Sequence, residues 1–219
     1  MSVHIHLMGA GQMADAALRA EVMSLAEGVV AELEARLTLA PLDIALFPTP
    51  NLMDARWFRS GICHSGYAVE CCFNPDHPLF HAGFRTELRR ILIHECHHAV
   101  RMRQVDRWTV GENLVLEGLA LTAEADCGLP PEDFPPPPDE AVTPLLERAA
   151  RDWDNSMGPE DDIAAFDWIW KSHSPEHVAN MYHIGREIVG RALKSGGQDA
   201  FSSVAQPRSW CLEHAQGSA

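Results

Sequence analysis

The sequence predicts an α+β fold, mostly helical, with a small sheet. Three observations lead there: long stretches carry apolar residues at helical spacing, two short stretches near 42–47 and 67–73 have strand length and composition, and no strand–helix alternation repeats along the chain. With 219 residues the chain suits a single domain, 1–219, with one core of ordinary size.

Within the first part, 1–40, Leu18, Val22, Leu25, Val29, Leu33 and Leu37 recur at helical spacing and predict a helix over 13–37. Ahead of it, Gly9-Ala10-Gly11-Gln12-Met13-Ala14 follows an apolar start and imitates a dinucleotide fingerprint. We read it as a turn, because the helix is too long for the compact unit and the acidic residues about twenty positions on lie inside that helix.

The second part, 42–128, begins after Pro41 with a strand over 42–47. Residues 61–73 alternate loosely and give a strand over 67–73, which Asn74-Pro75-Asp76-His77-Pro78 ends. A helix over 84–103 follows, with Leu88, Ile91, Leu92, Ala99 and Met102 as its apolar stripe. The next, over 109–126, starts with Thr109 as N-cap and Glu112 three places on, the spacing of a capping box, and stops at Cys127, Gly128 and Pro130.

Residues 130–138 include four consecutive prolines and read as a stiff connector. The last part, 139–219, should hold helices at 140–152, 160–171 and 175–194. Phe166, Trp168, Ile169 and Trp170 are packing residues of the second, and Pro175 opens the third.

A formal net charge of −14 argues against nucleic acid and anionic membrane surfaces as partners. No apolar run approaches the ~18 residues of a membrane span, and the start lacks the features of a secretory signal, so a cytoplasmic location is expected. Cys63, Cys71, Cys72, Cys96, Cys127 and Cys211 show no Cys-x-x-Cys spacing and read as free thiols. Arg85, Arg89, Arg90, Arg101, Arg103 and Arg107 read as a solvated helix face paired with acidic neighbours rather than as a substrate-carboxylate site.

The chemistry lies in His94-Glu95-Cys96-His97-His98. Residues i and i+4 stack on one helix face, so His94 and His98 can bind one metal ion with Glu95 beside it as a base. A histidine-rich turn can also be a solvated surface or a set of core imidazoles. Here the pair falls inside a predicted helix, and Ile91, one turn earlier, continues its face as apolar surface. Cys96 points elsewhere.

Two imidazoles leave a catalytic zinc short of one protein ligand. The first helix runs on ~9 Å past His98, and the second returns ~12 Å from Thr109 to Glu117 at ~1.5 Å per residue, which brings that carboxylate level with the histidines. Glu124 lies about two turns further on, and Glu112 has its capping role. Gly118 and Ala120 are small enough to let the second helix approach the first closely.

His94-Glu95-x-x-His98, followed 19 positions later by Glu117 in Glu117-Gly118-Leu119-Ala120, resembles the gluzincin metallopeptidases, the thermolysin-like superfamily. That form and the segment Tyr182-His183-Ile184-Gly185 are more similar to a bacterial family of predicted zinc-dependent proteases. The likeness spans roughly 42–194 and is strongest over 91–124. It implies a gluzincin-like metallopeptidase domain with zinc held between two helices by His94, His98 and Glu117, Glu95 as general base, and a peptide or protein substrate. It also implies an edge strand at 67–73, where an extended peptide could pair.

A tetrahedral oxyanion needs a further donor besides the metal, and Tyr182 and His183 are the candidates. In the helix over 175–194, Val178, Met181, Ile184, Ile188 and Val189 form the apolar stripe, which leaves Tyr182 toward one edge with Gly185 nearby. Two other readings stay open. A deformylase-like hydrolase would take Cys63, Cys71 or Cys72 in place of Glu117, although the expected glycine-cysteine context is absent. A protein that binds metal or peptide without turnover would be indifferent to Glu95→Gln.

Overall fold

Alternating apolar side chains build the sheet that carries the first helices. In the computed structural model, which describes residues 2–9, 13, 15–50, 59–105, 107–131, 138–156 and 175–216, the chain divides into two compact units, Met1–Arg103 and Gln104–Ala219. The fold is α+β, and the described residues form one sheet of four strands.

The first unit runs β1 (Val3–Leu7), α1 (Ala16–Glu34), β2 (Leu42–Pro48), β3 (Arg59–Ser65), β4 (Ala68–Phe73) and α2 (Phe80–Met102). Strand order is β1-β2-β4-β3, with β1–β2 and β2–β4 parallel and β3–β4 an antiparallel hairpin. Leu42, Ile44 and Leu46 of β2 are buried, as are Val69, Cys71 and Phe73 of β4, every second residue in each case. Val22, Ala26, Val29, Val30 and Leu33 form the buried side of α1. Each large aliphatic side chain so buried contributes about 1.5–3 kcal/mol.

Local chemistry sets the helix boundaries. Asp15 caps α1 by accepting from the backbone N–H of Ala17 at 2.8 Å and Leu18 at 3.3 Å, which starts the helix three residues later than the apolar spacing suggested. The α2 helix begins one turn earlier than expected, at Phe80. The Asn74 side chain accepts from Asp76 N–H at 2.9 Å, and His77 O accepts from Phe80 N–H at 2.9 Å, so the turn feeds straight into the helix.

Two expectations for this unit change. The strand placed at the edge, now β4, is interior, because its two sides pair with β2 and β3, and the outer strands are β1 and β3. The arginines of α2 also divide. Arg85 pairs with Glu21 and Arg89 with Glu32 on α1, as a solvated face would, but Arg90 and Arg101 are buried. Arg103 instead ties loops together: its guanidinium donates to Gly66 O at 2.6 Å, Thr38 O at 2.8 Å, Pro41 O at 2.9 Å and also Leu39 O, and it lies over the Tyr67 ring. One cation thus holds the β3–β4 turn to the segment entering β2.

The second unit holds α3 (Val110–Asp126), α4 (Asp139–Asp152), α5 (Pro175–Gly196) and α6 (Arg208–Gln216). The first N–H groups of α3 are satisfied in turn: Val110 donates to Asn155 O at 3.0 Å, Gly111 to Trp153 O at 2.9 Å and Glu112 to Thr109 Oγ1 at 3.1 Å. Its C-terminus closes through Gly128, at φ +77°, with Gly128 N–H donating to Ala125 O and Leu129 N–H to Glu124 O. The buried stripe of α5 includes Met181, Ile184, Ile188 and Val189 and continues through Ala192 and Leu193. The helix expected at 160–171 and connector residues 132–137 lie outside the described residues. No helix among the described residues is long and apolar enough to cross a membrane.

Replacing Arg103 by alanine should lower stability by about 2 kcal/mol, the scale of hydrogen bonds to a charged donor, read as a lower urea midpoint at unchanged slope. A loss below ~0.5 kcal/mol would mean those carbonyls are served equally well by water. Thr109→Ala should lose about 1 kcal/mol in the same measurement.

Candidate metal centre

Regular helical geometry places His94 over His98 on α2, their ring centroids 4.3 Å apart and their planes at 75°. His98 is buried and His94 half-buried, with Ile91, Leu92 and Ile93 buried in the turn before them. Glu117, on α3, is buried too, with 6% of its surface exposed. His94, His98 and Glu117 each offer one ligand atom, and these atoms all lie within 4.8 Å of one another.

The donor set suits a divalent ion of the zinc type. Atoms bound to one tetrahedral ion at ~2.0–2.1 Å stand about 3.4 Å apart, and the three ligand atoms here lie within 4.8 Å of one another. Two imidazoles and one carboxylate are a ligand set found in zinc sites that leave a fourth position to water or substrate.

Glu95 is buried, 6% exposed, and its side chain lies against β3 at Gly61. It is not part of the three-residue group.

The upstream cysteines are placed otherwise. Burial, joined by the charge of Glu95, raises the Cys71 thiol well above its ordinary value. Burial and then the hydrogen bond to Glu70 push Cys72 up to about 12. Cys63 donates to Ser65 O and touches Met102 Sδ at 3.3 Å. Without a metal, the surroundings of Cys71 and Cys72 favour the neutral thiol. The three-residue group contains Glu117 and no cysteine.

Tyr182 and His183 are half-buried on α5. Helices α3 and α5 cross at two glycines: a Cβ on Gly118 would collide with the backbone of Gly185, and a Cβ on Gly185 would stand 2.5 Å from Leu114 O. Gly118 therefore serves α5, which corrects the expectation that its small size serves the approach to the histidine helix. Gly185 does allow a close approach, and α3 is the neighbour. The crossing sets Tyr182 and His183 within a turn of the contact point, next to which Glu117 lies in sequence. Neither joins the ligand group.

Gly61 is the residue that sequence reasoning missed. The available signal was a glycine inside a strand, which marks close approach by another group without saying which.

The family model described as Predicted Zn-dependent protease (DUF2268) matches residues 22–132, about half of the chain. The chain belongs to that family. The matched stretch contains most of α1, β2 to β4, α2 and α3, and with them His94, Glu95, His98 and Glu117. It ends before α4, so Tyr182 and His183 fall outside it. No curated protein and no solved structure matches the chain.

The raised thiols give a test in solution. With thiolate scarce, Cys71 and Cys72 of the native protein should resist alkylation at about pH 8, and Cys72 should become reactive only as pH climbs toward about 12. Mass spectrometry of the alkylated, digested protein reads this site by site. Rapid labelling of either residue at neutral pH would contradict the burial described above.

Proposed function

We propose that this protein is a zinc-dependent peptidase of gluzincin type, with His94, His98 and Glu117 as metal ligands and Glu95 as general base. The observation that carries the reading is the convergence of those three ligand atoms from α2 and α3. Membership in a family described as a predicted zinc-dependent protease supports it independently. Chain 1–219 is read as one catalytic domain acting on a peptide or protein in the cytoplasm, with no nucleic-acid or membrane partner.

Bound by these residues, zinc supplies a Lewis acid and brings the pKa of a coordinated water toward ~7. Glu95 accepts the proton of the attacking water and passes it to the leaving amine, which a carboxylate does well when buried beside the reacting atoms. Tyr182 or His183 donates a hydrogen bond to the developing oxyanion. The apolar turn at Ile91, Leu92 and Ile93 limits water around that chemistry and strengthens each electrostatic contact.

Elemental analysis and a peptide-library digest test the assignment together. Wild type should carry about one zinc per chain and cleave peptides; Glu117→Ala and His98→Ala should lose the metal, while Cys63→Ser, Cys71→Ser and Cys72→Ser keep it. Glu95→Gln should keep the metal and lose at least ~100-fold in turnover. Metal lost from a cysteine variant and kept in Glu117→Ala would place the third ligand on the cysteine and overturn the gluzincin reading. Tyr182→Phe should lower turnover by ~10 to 1,000-fold with zinc content intact; unchanged turnover would shift the oxyanion role to His183 or to water.

A further inference from the structure

We propose that Gly61 is the positioning residue for Glu95: the bare backbone of β3 at this point leaves the space in which the Glu95 carboxylate rests. The proposal builds on the reading of Glu95 as general base.

Gly61 sits inside β3, an outer strand, opposite Cys71 of β4. A Cβ built there would stand 2.7 Å from both Cγ and Cδ of Glu95 and closer still to Oε1. Three successive atoms of one side chain thus fill the volume that any other residue would claim. Glycine's conformational freedom does not account for its presence, because its φ is not in the left-handed region. Alanine would ordinarily suit a strand better. What the position requires is the absence of a side chain.

The contact falls on the far part of a flexible side chain, not on backbone. A methyl group at 61 therefore moves the Glu95 carboxylate and leaves the strand in place. Displacing a reacting group by an ångström can cost on the order of 100-fold in rate, so a substitution with mild structural consequences should have a large catalytic one.

The test is a double-mutant cycle of Gly61→Ala and Glu95→Ala, read by urea midpoint and zinc content, with kcat and KM for a peptide substrate of the wild type and Gly61→Ala. Gly61→Ala should retain full zinc and an unchanged KM while kcat falls at least ~10-fold. It should lower the midpoint in the wild-type background and leave it unchanged or raised in the Glu95→Ala background, where the opposing atoms are gone. An equal midpoint loss in both backgrounds, or an unchanged kcat, would overturn the proposal. If Gly61→Ala alone does not fold, a folded double variant supports the contact and an unfolded one refutes it. Turnover retained by Glu95→Ala alone would sink the general-base reading instead, and the midpoint cycle would still decide the contact.

Discussion

The meeting of His94 and His98 on one face depends on α2 staying a regular helix through that turn, and most of the surroundings of that turn serve this constraint. Two side chains four residues apart meet at one ion only when the i→i+4 ladder between them is intact. The helix is held on several sides. Phe80, Phe84, Leu88 and Ile91 are buried along it, Arg85 and Arg89 reach Glu21 and Glu32 on α1, and Arg103, just past its end, binds carbonyls of two loops. Exposed ion pairs add little individually, so the apolar burial sets the helix in place and the arginines refine it.

Buried polarity is the second requirement. Glu112, Asn113, Glu117 and Glu124 are all buried on the single helix α3, an arrangement that is costly unless each group is satisfied. Of these, the Asn113 side chain donates to Met181 Sδ at 3.1 Å. Glu117 differs in that its carboxylate lies within 4.8 Å of ligand atoms of His94 and His98, and a divalent ion bound there would offset the cost of burying its charge. Glu95, one residue from His94, is outside the three-residue group, and its side chain fits closely against β3 at Gly61 within the same unit.

Much of this was legible in the sequence because it is local. The capping pair Thr109 and Glu112, the stop at Gly128 and the apolar stripe of α2 depend on residues within one or two turns of each other, and the structure places them as expected. His94, His98 and Glu117, which the sequence singled out, each offer a ligand atom within 4.8 Å of the others. What was misjudged depends on pairing between distant segments. Val3-His4-Ile5-His6-Leu7 alternates as a strand does, yet it reads as no more than an apolar start until β2 pairs with it. Whether β4 lay at an edge was decided by β3, whose sequence alternates weakly. Gly118 looked like a surface for the histidine helix and packs on α5 instead, and Arg90 and Arg101 carry no local mark of their burial. Composition suggests that a residue is small or charged; only the fold says what it faces.

The central claim is that two imidazoles and the Glu117 carboxylate, with no sulfur, bind the ion. X-ray absorption at the zinc edge of the reconstituted protein tests it most directly, because sulfur and nitrogen or oxygen neighbours scatter at separable distances. The account predicts a first shell of nitrogen and oxygen alone at ~2.0–2.2 Å, with the outer-shell pattern of two imidazoles. A sulfur shell at ~2.3 Å would contradict it and put a cysteine where Glu117 has been assigned.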